Sequence, residues 1–270
     1  MNPDREETPV QAAYERIAAT VRDAIERGEY SPGATLPSAK ELAKAHGVKS
    51  QETALKALRL LETEGYLTIQ HRVGATVRHR PNIRTVVRDR HAYRDEIGYF
   101  FDQGAKEWRA IGAPTRGLAV PPRHIADLLG VPHDENTLVR DRAMGPEGSQ
   151  RPLQIATSYI ALSLVAEIPA LGAEKASPGG IYDRIEEHFA GPIEWRETIS
   201  SRLPDGEEQN RLGIPPTVPV LVVTRESRVR RGNEEVIAEV NETRMAAEQF
   251  AVSYTVERDA TAAWPREERP

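Results

Sequence analysis

Two segments within the first 65 residues carry apolar residues at helical spacing, on either side of a shorter segment, and each of the three is followed by a glycine. The first segment places five apolar residues on one helix face: Tyr14, Ile17, Ala18, Val21 and Ile25. The third, between Ser50 and Glu64, repeats the spacing with Ala54, Leu58 and Leu61. Residues three and four apart share a helix face, and glycine favours a helix end. The pattern therefore predicts two longer helices with a short one between them.

The short middle helix is delimited by its own signals. Ser38 and Glu41 have the spacing of a capping box, in which the hydroxyl and the carboxylate satisfy free N–H groups at the start of a helix. His46 and Gly47 then end the helix, and Val48 begins a tight turn into the third helix. This order predicts a helix-turn-helix.

The third helix carries a polar face and is followed by a predicted hairpin. Its polar face is formed by Lys49, Glu52, Lys56 and Arg59. Two short strands, at 66–69 and 75–78, flank a tip that contains Gly74. In a winged helix-turn-helix the third helix enters the major groove of DNA and the hairpin tip reaches an adjacent groove. A small helical domain with an ordinary solvated face is the alternative.

Charge is distributed unevenly along the chain. The 270 residues contain 36 Lys+Arg against 41 Asp+Glu, but residues 37–90 contain 11 basic and 5 acidic side chains. A basic segment in an acidic protein is typical of a DNA-contacting module joined to a different domain, although an exposed basic face that binds nothing has the same composition. The chain contains no cysteine, which excludes disulfides, thiolate zinc sites and cysteine nucleophiles.

The segment from Tyr14 to Val77 resembles the DNA-binding domain of the GntR family of bacterial transcription regulators. The resemblance lies in the blocks G-x-Y-x-P-G-x-x-L-P-S, E-L-A and A-L-x-x-L-E-x-E-G. It implies phosphate contacts from Ser38 and Lys40, base or backbone contacts from early helix-three residues, and a minor-groove contact from the wing tip. With Lys49 from the polar face, the expected DNA-binding residues are Ser38, Lys40, Lys49, Ser50, Gln51, Glu52, Thr53, Lys56, Arg72 and Gly74.

Three departures from the family pattern leave the base-by-base readout open. The turn at 48–53 is one residue longer than is usual in the family, Leu55 stands where an arginine is common, and Arg72 replaces the first of two usual glycines. One extra residue rotates a helix face by about 100°. We therefore expect a DNA-binding domain without assigning each side chain to a base.

The rest of the chain predicts an α+β domain behind a basic linker. The predicted divisions are a winged helix-turn-helix at 1–80, a linker at 81–96, a second domain at 97–258 and a disordered tail at 259–270. The linker could add phosphate contacts or serve only as a solvated connector. Antiparallel strands interrupted by helices are expected in the second domain, at 116–120, 137–144, 153–160, 193–202, 219–229 and 236–244.

This second half resembles the UTRA effector-binding domain of the HutC branch of GntR regulators, which is related in fold to chorismate lyase. The resemblance lies in four segments: LVRDRAMG…RPLQIATSYI, GGIYDRIEEHF, RLGIPPTVPVLVVTRESR and VIAEVNETRM. The sequences of these segments look most like those of actinomycete members. It implies that a small effector binds a sheet face and a helix. The matching pocket positions are Arg140, Arg142, Tyr182 and Glu239.

The two arginines of this set favour an anionic ligand. Arg140 and Arg142 are two residues apart on a predicted strand, so both side chains point to one face and together suit a carboxylate or phosphate. Salt bridges to nearby acids are the alternative role. Ala156 and Gly180 depart from the glutamate and serine that are frequent in effector-binding members. A phosphosugar is therefore less expected than in a typical member, and a vestigial pocket stays open.

Together these features predict a cytoplasmic DNA-binding regulator, a repressor that acts as a homodimer on double-stranded DNA with a pseudo-palindromic operator. We expect no cofactor, no metal, no membrane contact and no enzymatic activity, because the chain lacks a phosphate-binding loop motif and its seven histidines are scattered. Two alternatives remain: a DNA-binding dimer without a ligand, and an enzyme related to the lyase whose fold the second half resembles.

Overall fold

The computed structural model describes residues 12–70, 73–78, 84–87, 91–94, 100–101, 108–149, 151–173 and 180–262. Its contacts divide the chain into two units, Met1–Asn82 and Ile83–Pro270. Each unit has its own buried apolar core. The described residues of the predicted linker, 84–87 and 91–94, belong to the second unit.

The first unit is a winged helix-turn-helix. Its elements are α1 (Ala13–Glu26), α2 (Ala39–Ala45), α3 (Gln51–Thr63), β1 (Leu67–Gln70) and β2 (Gly74–Val77). The predicted apolar stripes form the core, with Ile17, Val21, Leu58 and Leu61 all nearly inaccessible to solvent. The two strands pair antiparallel, with Gln70 opposite Gly74. The predicted order of elements is confirmed.

Glycine ends α1 and α3 as the spacing predicted. Gly28 and Gly65 both adopt a φ of +78°, a conformation that L side chains rarely adopt. At Gly65 a side chain would also come within 3.1 Å of the Arg78 guanidinium, which donates a hydrogen bond to the Gly65 carbonyl. Glycine at this position therefore lets the hairpin fold back against the end of α3.

The second unit contains eleven strands and four α-helices in the part of the chain that the structure describes. The strands are β3 (Arg84–Val87), β4 (Tyr93–Arg94), β5 (Phe100–Phe101), β6 (Trp108–Ala110), β7 (Thr115–Ala119), β8 (Thr137–Pro146), β9 (Gln154–Ala161), β10 (Glu194–Arg202), β11 (Val220–Arg231), β12 (Glu234–Ala246) and β13 (Phe250–Ser253). The helices are α4 (Arg123–Leu129), α5 (Leu162–Glu167), α6 (Gly180–Phe189) and α7 (Gly206–Leu212).

A seven-stranded antiparallel sheet forms the framework of this unit. Its order is β10-β11-β12-β9-β8, with β6 and β7 both pairing along the far side of β8. Two short pairs lie outside it: β4 with β5, and β3 in parallel with β13. The α+β fold class is confirmed, and the strands predicted from the sequence are all present with slightly different ends.

Several elements were not predicted from the sequence. Part of the predicted linker pairs as a strand, which its Val86 and Val87 allowed, but the partner of this strand, β13, was not predicted. The short helices α5 and α7 and the strands β6 and β13 were also missed. At the end of the chain, Ala260–Ala262 form a 3-10 turn, while residues 263–270 of the predicted tail lie outside the described residues.

The end of α6 carries backbone strain. Ala190, directly after the helix, has a φ of +50°, whereas α4 and α7 end with Gly130 and Gly213 in the same left-handed region. We expect Ala190→Gly to raise the free energy of unfolding by about 0.5–1 kcal/mol, because an L side chain destabilises this conformation. Urea denaturation measures the change.

The matched control is Gly130→Ala, where the added methyl group would meet no atom within 4 Å and only the backbone conformation is disfavoured. This variant should lose about 0.5–1 kcal/mol. A loss of stability in Ala190→Gly would contradict the explanation and point instead to contacts of the Ala190 methyl group.

Candidate functional sites

The helix α3 presents a polar face to solvent. Ala54, Ala57, Leu58 and Leu61 are buried, whereas the polar residues predicted for the opposite face are exposed: Lys49, Glu52, Lys56 and Arg59. Ser50 is the residue that precedes the helix, so the expected DNA-contacting residues Ser50, Gln51, Glu52 and Thr53 form its start. They lie next to Lys56 on the following turn, as a single helical surface.

Ser38 and Lys40 lie at the start of α2. The Ser38 hydroxyl donates to the Glu41 carboxylate at 2.7 Å and accepts from the Glu41 backbone N–H at 3.3 Å, so the predicted capping box is present. The hydrogen bonds from Ser38 lower the pKa of Glu41 and keep it ionised. Lys40 is exposed beside this cap. The structure thus gives Ser38 a structural role that is compatible with a phosphate contact.

The hairpin tip is described at Val73 and Gly74. Gly74 is exposed with a φ of +98°, and the neighbouring Val73 is 55% exposed. Arg72, the expected minor-groove residue, lies outside the described residues. Val73 was not predicted from the sequence as part of the DNA-contacting set.

Side-chain bonds fix the hairpin and α3 to α1. Arg22 on α1 forms a bidentate ion pair with the Glu64 carboxylate, with nitrogen–oxygen distances of 2.6 to 3.1 Å. The Tyr66 hydroxyl donates a hydrogen bond to the Glu26 carboxylate at 2.6 Å. The Glu62 carboxylate accepts from the backbone N–H of Ile69 at 2.7 Å. These bonds hold the polar face of α3 and the hairpin in one fixed orientation.

In the second unit, strand register places the four expected effector residues together. Arg140 is opposite Ser158 on β9, which is opposite Asn241 on β12, and Asn241 is two residues from Glu239. Because side chains on a strand alternate and directly opposed residues share a face, these residues all point to one side of the sheet. Tyr182 reaches this side from α6. We call this surface the cradle; its polar residues are Arg140, Arg142, Ser158, Tyr182, Arg225, Ser227, Glu239 and Asn241.

Glu239 is the buried acid of the cradle. Its carboxylate is inaccessible to solvent, and one oxygen, Oε2, accepts hydrogen bonds from the Tyr182 hydroxyl at 3.0 Å and the Ser227 hydroxyl at 2.8 Å. The other oxygen, Oε1, has no hydrogen-bond partner among the described residues. A buried acceptor without a donor is costly unless something else supplies one. Oε1 is therefore a natural contact for a hydrogen-bond donor of a ligand.

Tyr182 is held as a protonated donor. Burial raises the pKa of its hydroxyl, and the adjacent negative charge of Glu239 raises it further, whereas the charges of Arg225 and Arg142 lower it. The net pKa is far above the usual value near 10, so the hydroxyl keeps its proton at neutral pH. The edge-to-face contact with Trp195, at 5.6 Å between ring centroids, fixes the orientation of the ring.

The arginines of the cradle differ in their pairing. Arg225 is neutralised by Glu197, with nitrogen–oxygen distances of 2.7 and 2.8 Å. Arg142 is exposed and has neither a hydrogen bond nor a salt bridge within the described ranges. It shares its face with Arg140. Salt bridges to nearby acids, the alternative role considered for these arginines, are therefore not seen for Arg142 among the described residues. Its guanidinium group is available to an anion.

The cradle lies between two apolar clusters. One contains residues of α5, α6 and the sheet, such as Leu164 and Ile185. The other joins Met245 and Val223 to Phe250 of β13, Val86 of β3 and Trp108. Both clusters border the cradle with apolar side chains, and apolar surroundings strengthen electrostatic contacts.

Ala156 and Gly180 stand at the edges of the cradle. Ala156 is directly opposite Arg142 and Thr243 in the sheet and is 5% exposed. A glutamate at this position would extend its carboxylate into the cradle, where alanine has only a methyl group. Gly180 begins α6 with a φ of +65°, two residues before Tyr182. A serine there would be strained in this conformation.

The opposite face of the same strands carries an ion-pair network that the sequence analysis did not identify. Asp141 points away from the cradle and accepts from Thr157 at 2.6 Å and from Arg211 of α7. Glu208 of α7 is almost fully buried and binds Arg202 at 2.7 Å and Arg244 at 3.5 Å. The network attaches α7 to the strand that carries Arg140 and Arg142.

Burial alone would raise the pKa of both acids, but hydrogen bonds and charges from the arginines outweigh it. Hydrogen bonds from Arg211 and Thr157 lower the pKa of Asp141, and those from Arg202 and the Asp205 backbone lower the pKa of Glu208. Both acids are therefore ionised at neutral pH. The signal for α7 was present in the sequence, because Asp205 and Glu208 have capping-box spacing.

No group of three or more His, Asp or Glu side chains lies close enough to hold a metal ion in the described part of the chain. None of the helices described has the length and apolar character that a membrane span requires.

We expect Glu208→Ala to lower the free energy of unfolding at pH 7 by about 2–4 kcal/mol, because it leaves Arg244 and Arg202 without their buried partner. Glu207→Ala removes the exposed neighbour, which is 74% exposed, and should change stability by less than about 0.5 kcal/mol. Urea denaturation of both variants gives the comparison.

The stability difference between the parent and Glu208→Ala should also depend on pH. The pKa of Glu208 is lower in the folded chain than in the unfolded chain, so its contribution is present above the ordinary pKa near 4 and is lost as the pH falls further. The stability difference between the parent and Glu208→Ala should therefore shrink below about pH 4. A difference that stays constant to pH 2 would show that packing, and not charge, accounts for the loss.

Two protein-family models match the chain. The model of the bacterial regulatory proteins of the gntR family matches residues 13–77, and the UTRA domain model matches residues 115–251. The second match alone covers half of the chain. The two matched ranges coincide with the winged helix-turn-helix and with most of the sheet unit.

Similar proteins include characterised regulators. The chain is 25% identical over 223 residues to the HTH-type transcriptional regulator GgaR of Escherichia coli K12, covering 78% of each chain. It is 25% identical over 226 residues to the HTH-type transcriptional repressor NagR of Bacillus subtilis, covering 81% of this chain and 85% of that one. A crystal structure of a GntR-family transcriptional regulator has the same fold, with a TM-score of 0.65 at 24% identity, covering 92% of this chain and 99% of the other.

Proposed function

The chain belongs to the GntR family of bacterial transcriptional regulators and carries a UTRA domain, and on this premise we propose that it is a homodimeric cytoplasmic repressor whose affinity for its operator is lowered by a small effector. The single observation that carries the effector is the buried Glu239 oxygen without a donor, on the same sheet face as the exposed Arg142. The proposed repressor role is supported by the similarity to NagR, which is a transcriptional repressor.

The polar face of α3 is the proposed DNA-reading surface. At its start Ser50, Gln51 and Glu52 are exposed and Thr53 is half-buried. Lys56 on the next turn is also exposed, whereas the other face of the helix is buried. In helix-turn-helix proteins the first residues of the recognition helix contact base edges. Glutamine can pair with adenine, glutamate can accept from cytosine and lysine can donate to guanine, so Gln51, Glu52 and Lys56 are the proposed specificity residues.

We expect Lys56→Ala to weaken binding to the operator by about tenfold and to reduce the slope of log affinity against log salt by about 1, because one cation–DNA contact is lost. The control is Arg27→Ala, an exposed cation at the end of α1 that is paired with Glu29 and lies outside the proposed surface. Fluorescence anisotropy over a salt series measures both quantities. Equal affinities and slopes for Lys56→Ala and the parent would remove α3 from the interface.

The operator itself can be found by selecting bound fragments from a random DNA pool. Two-fold symmetric dimers bind two half-sites about one helical turn apart, so the selected sequences should be pseudo-palindromes. Selection of single, unpaired half-sites would contradict the homodimer.

The cradle defines the chemistry of the proposed effector. Arg142 and Arg140 suit a carboxylate or a phosphate, since a guanidinium group binds either with two parallel hydrogen bonds. The Glu239 Oε1 atom suits a hydroxyl or ammonium group that donates a hydrogen bond. A small anion with such a donor at a second position meets both requirements.

The apolar cluster beside the cradle offers a route from effector to DNA-binding unit. Val86 of β3 packs in this cluster with Met245 and Val223, which share the sheet face of Glu239. The strand β3 begins two residues after Asn82, where the first unit ends. A ligand that changes the packing of this cluster would act on the segment that joins the units. The change in operator affinity cannot exceed the difference in ligand affinity between the two states.

A metabolite panel tests the effector. The ligand should raise the melting temperature and release the operator, and Glu239→Gln and Arg142→Ala should each weaken its binding about 10- to 100-fold while operator binding without ligand is kept. Arg123→Ala, an exposed arginine at the start of α4, is the control and should bind the ligand like the parent.

Other outcomes of the same panel separate the alternatives. Turnover of a metabolite would support an enzyme of lyase type over a repressor without catalytic activity. Binding by no metabolite would support a DNA-binding dimer with a vestigial pocket, an alternative that the small side chain of Ala156 favours.

A further inference from the structure

The strand β10 forms one edge of the large sheet. In the described ranges it pairs with β11 and has no strand on its other side. Its nine residues span about 30 Å, and seven of them are exposed. An edge of this length presents unpaired backbone N–H and C=O groups that another strand can bind. Ile199 is 43% exposed, and Leu203 just beyond the strand is 65% exposed.

We propose that β10 pairs antiparallel with β10 of a second copy of this chain, about a two-fold axis that passes through Thr198. The two large sheets then form one continuous sheet. This inference rests on the proposed homodimer and names the surface that forms it.

Symmetry restricts the registers that are available. A two-fold axis between identical antiparallel strands is perpendicular to the sheet, so each residue is opposed by a residue of the same face. The axis must therefore pass through a residue and not between two residues. Only an axis through Thr198 pairs all nine residues of β10.

Charge favours this register over its neighbours. With the axis at Thr198, Glu194 lies opposite Arg202 of the second copy at both ends of the pairing. An axis through Glu197 would oppose the two Glu197 carboxylates, and an axis through Ile199 would oppose Arg196 to Arg202. Opposite charges across strands stabilise a pair, and like charges destabilise it.

The side chains that this register uses are available. Glu194 is exposed and has no hydrogen bond or salt bridge among the residues that the structure describes. The Arg202 side chain, although bound to Glu208, is 43% exposed. A guanidinium group has five N–H donors, so Arg202 can bind both carboxylates.

The other edge of the sheet is a poorer partner for itself. The strand β7 has five residues, with Gly117 at its centre. Pairing with a second β7 would place glycine opposite glycine and Arg116 opposite Leu118, with no opposed charges. Glycine in a strand has no side chain to pack and weakens the pairing.

A consequence concerns the cradles. A two-fold axis perpendicular to the sheet keeps each face on its own side. The cradles of both copies therefore open on the same side of the joined sheet, and the two ion-pair networks lie on the other.

The absence of cysteine from the chain makes a direct test available. In Thr198→Cys the two thiols would face each other across the axis, where directly opposed Cα atoms are about 4.5–5.5 Å apart, within the range of a disulfide. Mild oxidation should convert most of the protein to a covalent dimer on a non-reducing gel.

Ser200→Cys is the matched control, since Ser200 lies on the same strand and the same face and is also exposed. In the proposed register its two copies are roughly 13 Å apart and cannot form a disulfide. We expect at least tenfold slower covalent dimer formation than in Thr198→Cys. Equal rates, or faster linkage of Ser200→Cys, would overturn the register.

A second variant tests the charge pair without cysteine. Glu194→Arg opposes like charges at both ends and should raise the dimer dissociation constant about tenfold, as measured by sedimentation equilibrium. Glu187→Arg, the same charge change at an exposed position of α6, should leave the constant unchanged. A dimer dissociation constant that Glu194→Arg leaves unchanged would overturn the β10 interface alone. A chain that stays monomeric at all concentrations would overturn the proposed homodimer itself.

Discussion

The two-residue alternation of the antiparallel sheet is the constraint on which the site depends. On β8, Arg140 and Arg142 point into the cradle, while Asp141 between them points to the opposite face and binds Arg211 and Thr157. A register shift of one residue would exchange the two sets. The network behind the sheet therefore stabilises the register that places both arginines on the face of the cradle.

The winged helix-turn-helix was predicted almost completely from the sequence, because the signals that define its elements are local. Helical spacing, the Ser38 capping box and the glycines after α1 and α3 each specify a short segment, and the structure confirms them. The antiparallel sheet was predicted in outline for the same reason. The hydrogen bonds of Glu239 were not predicted, because they depend on the exact register of β11 against β12, which places Ser227 opposite Glu239, and on Tyr182 of α6, which is 57 positions away.

The back of the sheet shows why the remaining residues were missed. Arg244, Glu208 and Asp141 are separated by up to about a hundred positions in the sequence and meet only after the strands have paired. Charged residues are usually expected to be solvated, yet Glu208 on α7 is 2% exposed. Long-range pairing, which no local spacing encodes, determines which acids are buried. Similarly, β3 was read within a linker because its partner β13 lies more than 160 residues away.

The energetics of Glu239 connect stability with the proposed regulation. Its carboxylate is fully buried, and Tyr182 and Ser227 satisfy only one of its oxygens. Burying an acceptor without a donor costs about 1–3 kcal/mol, which the ligand-free fold must bear. A ligand that donates to Oε1 removes this cost only in the state where the cradle is assembled. The arrangement thus supplies a difference in ligand affinity between an assembled and a disrupted cradle, and such a difference is what any effect on DNA binding requires.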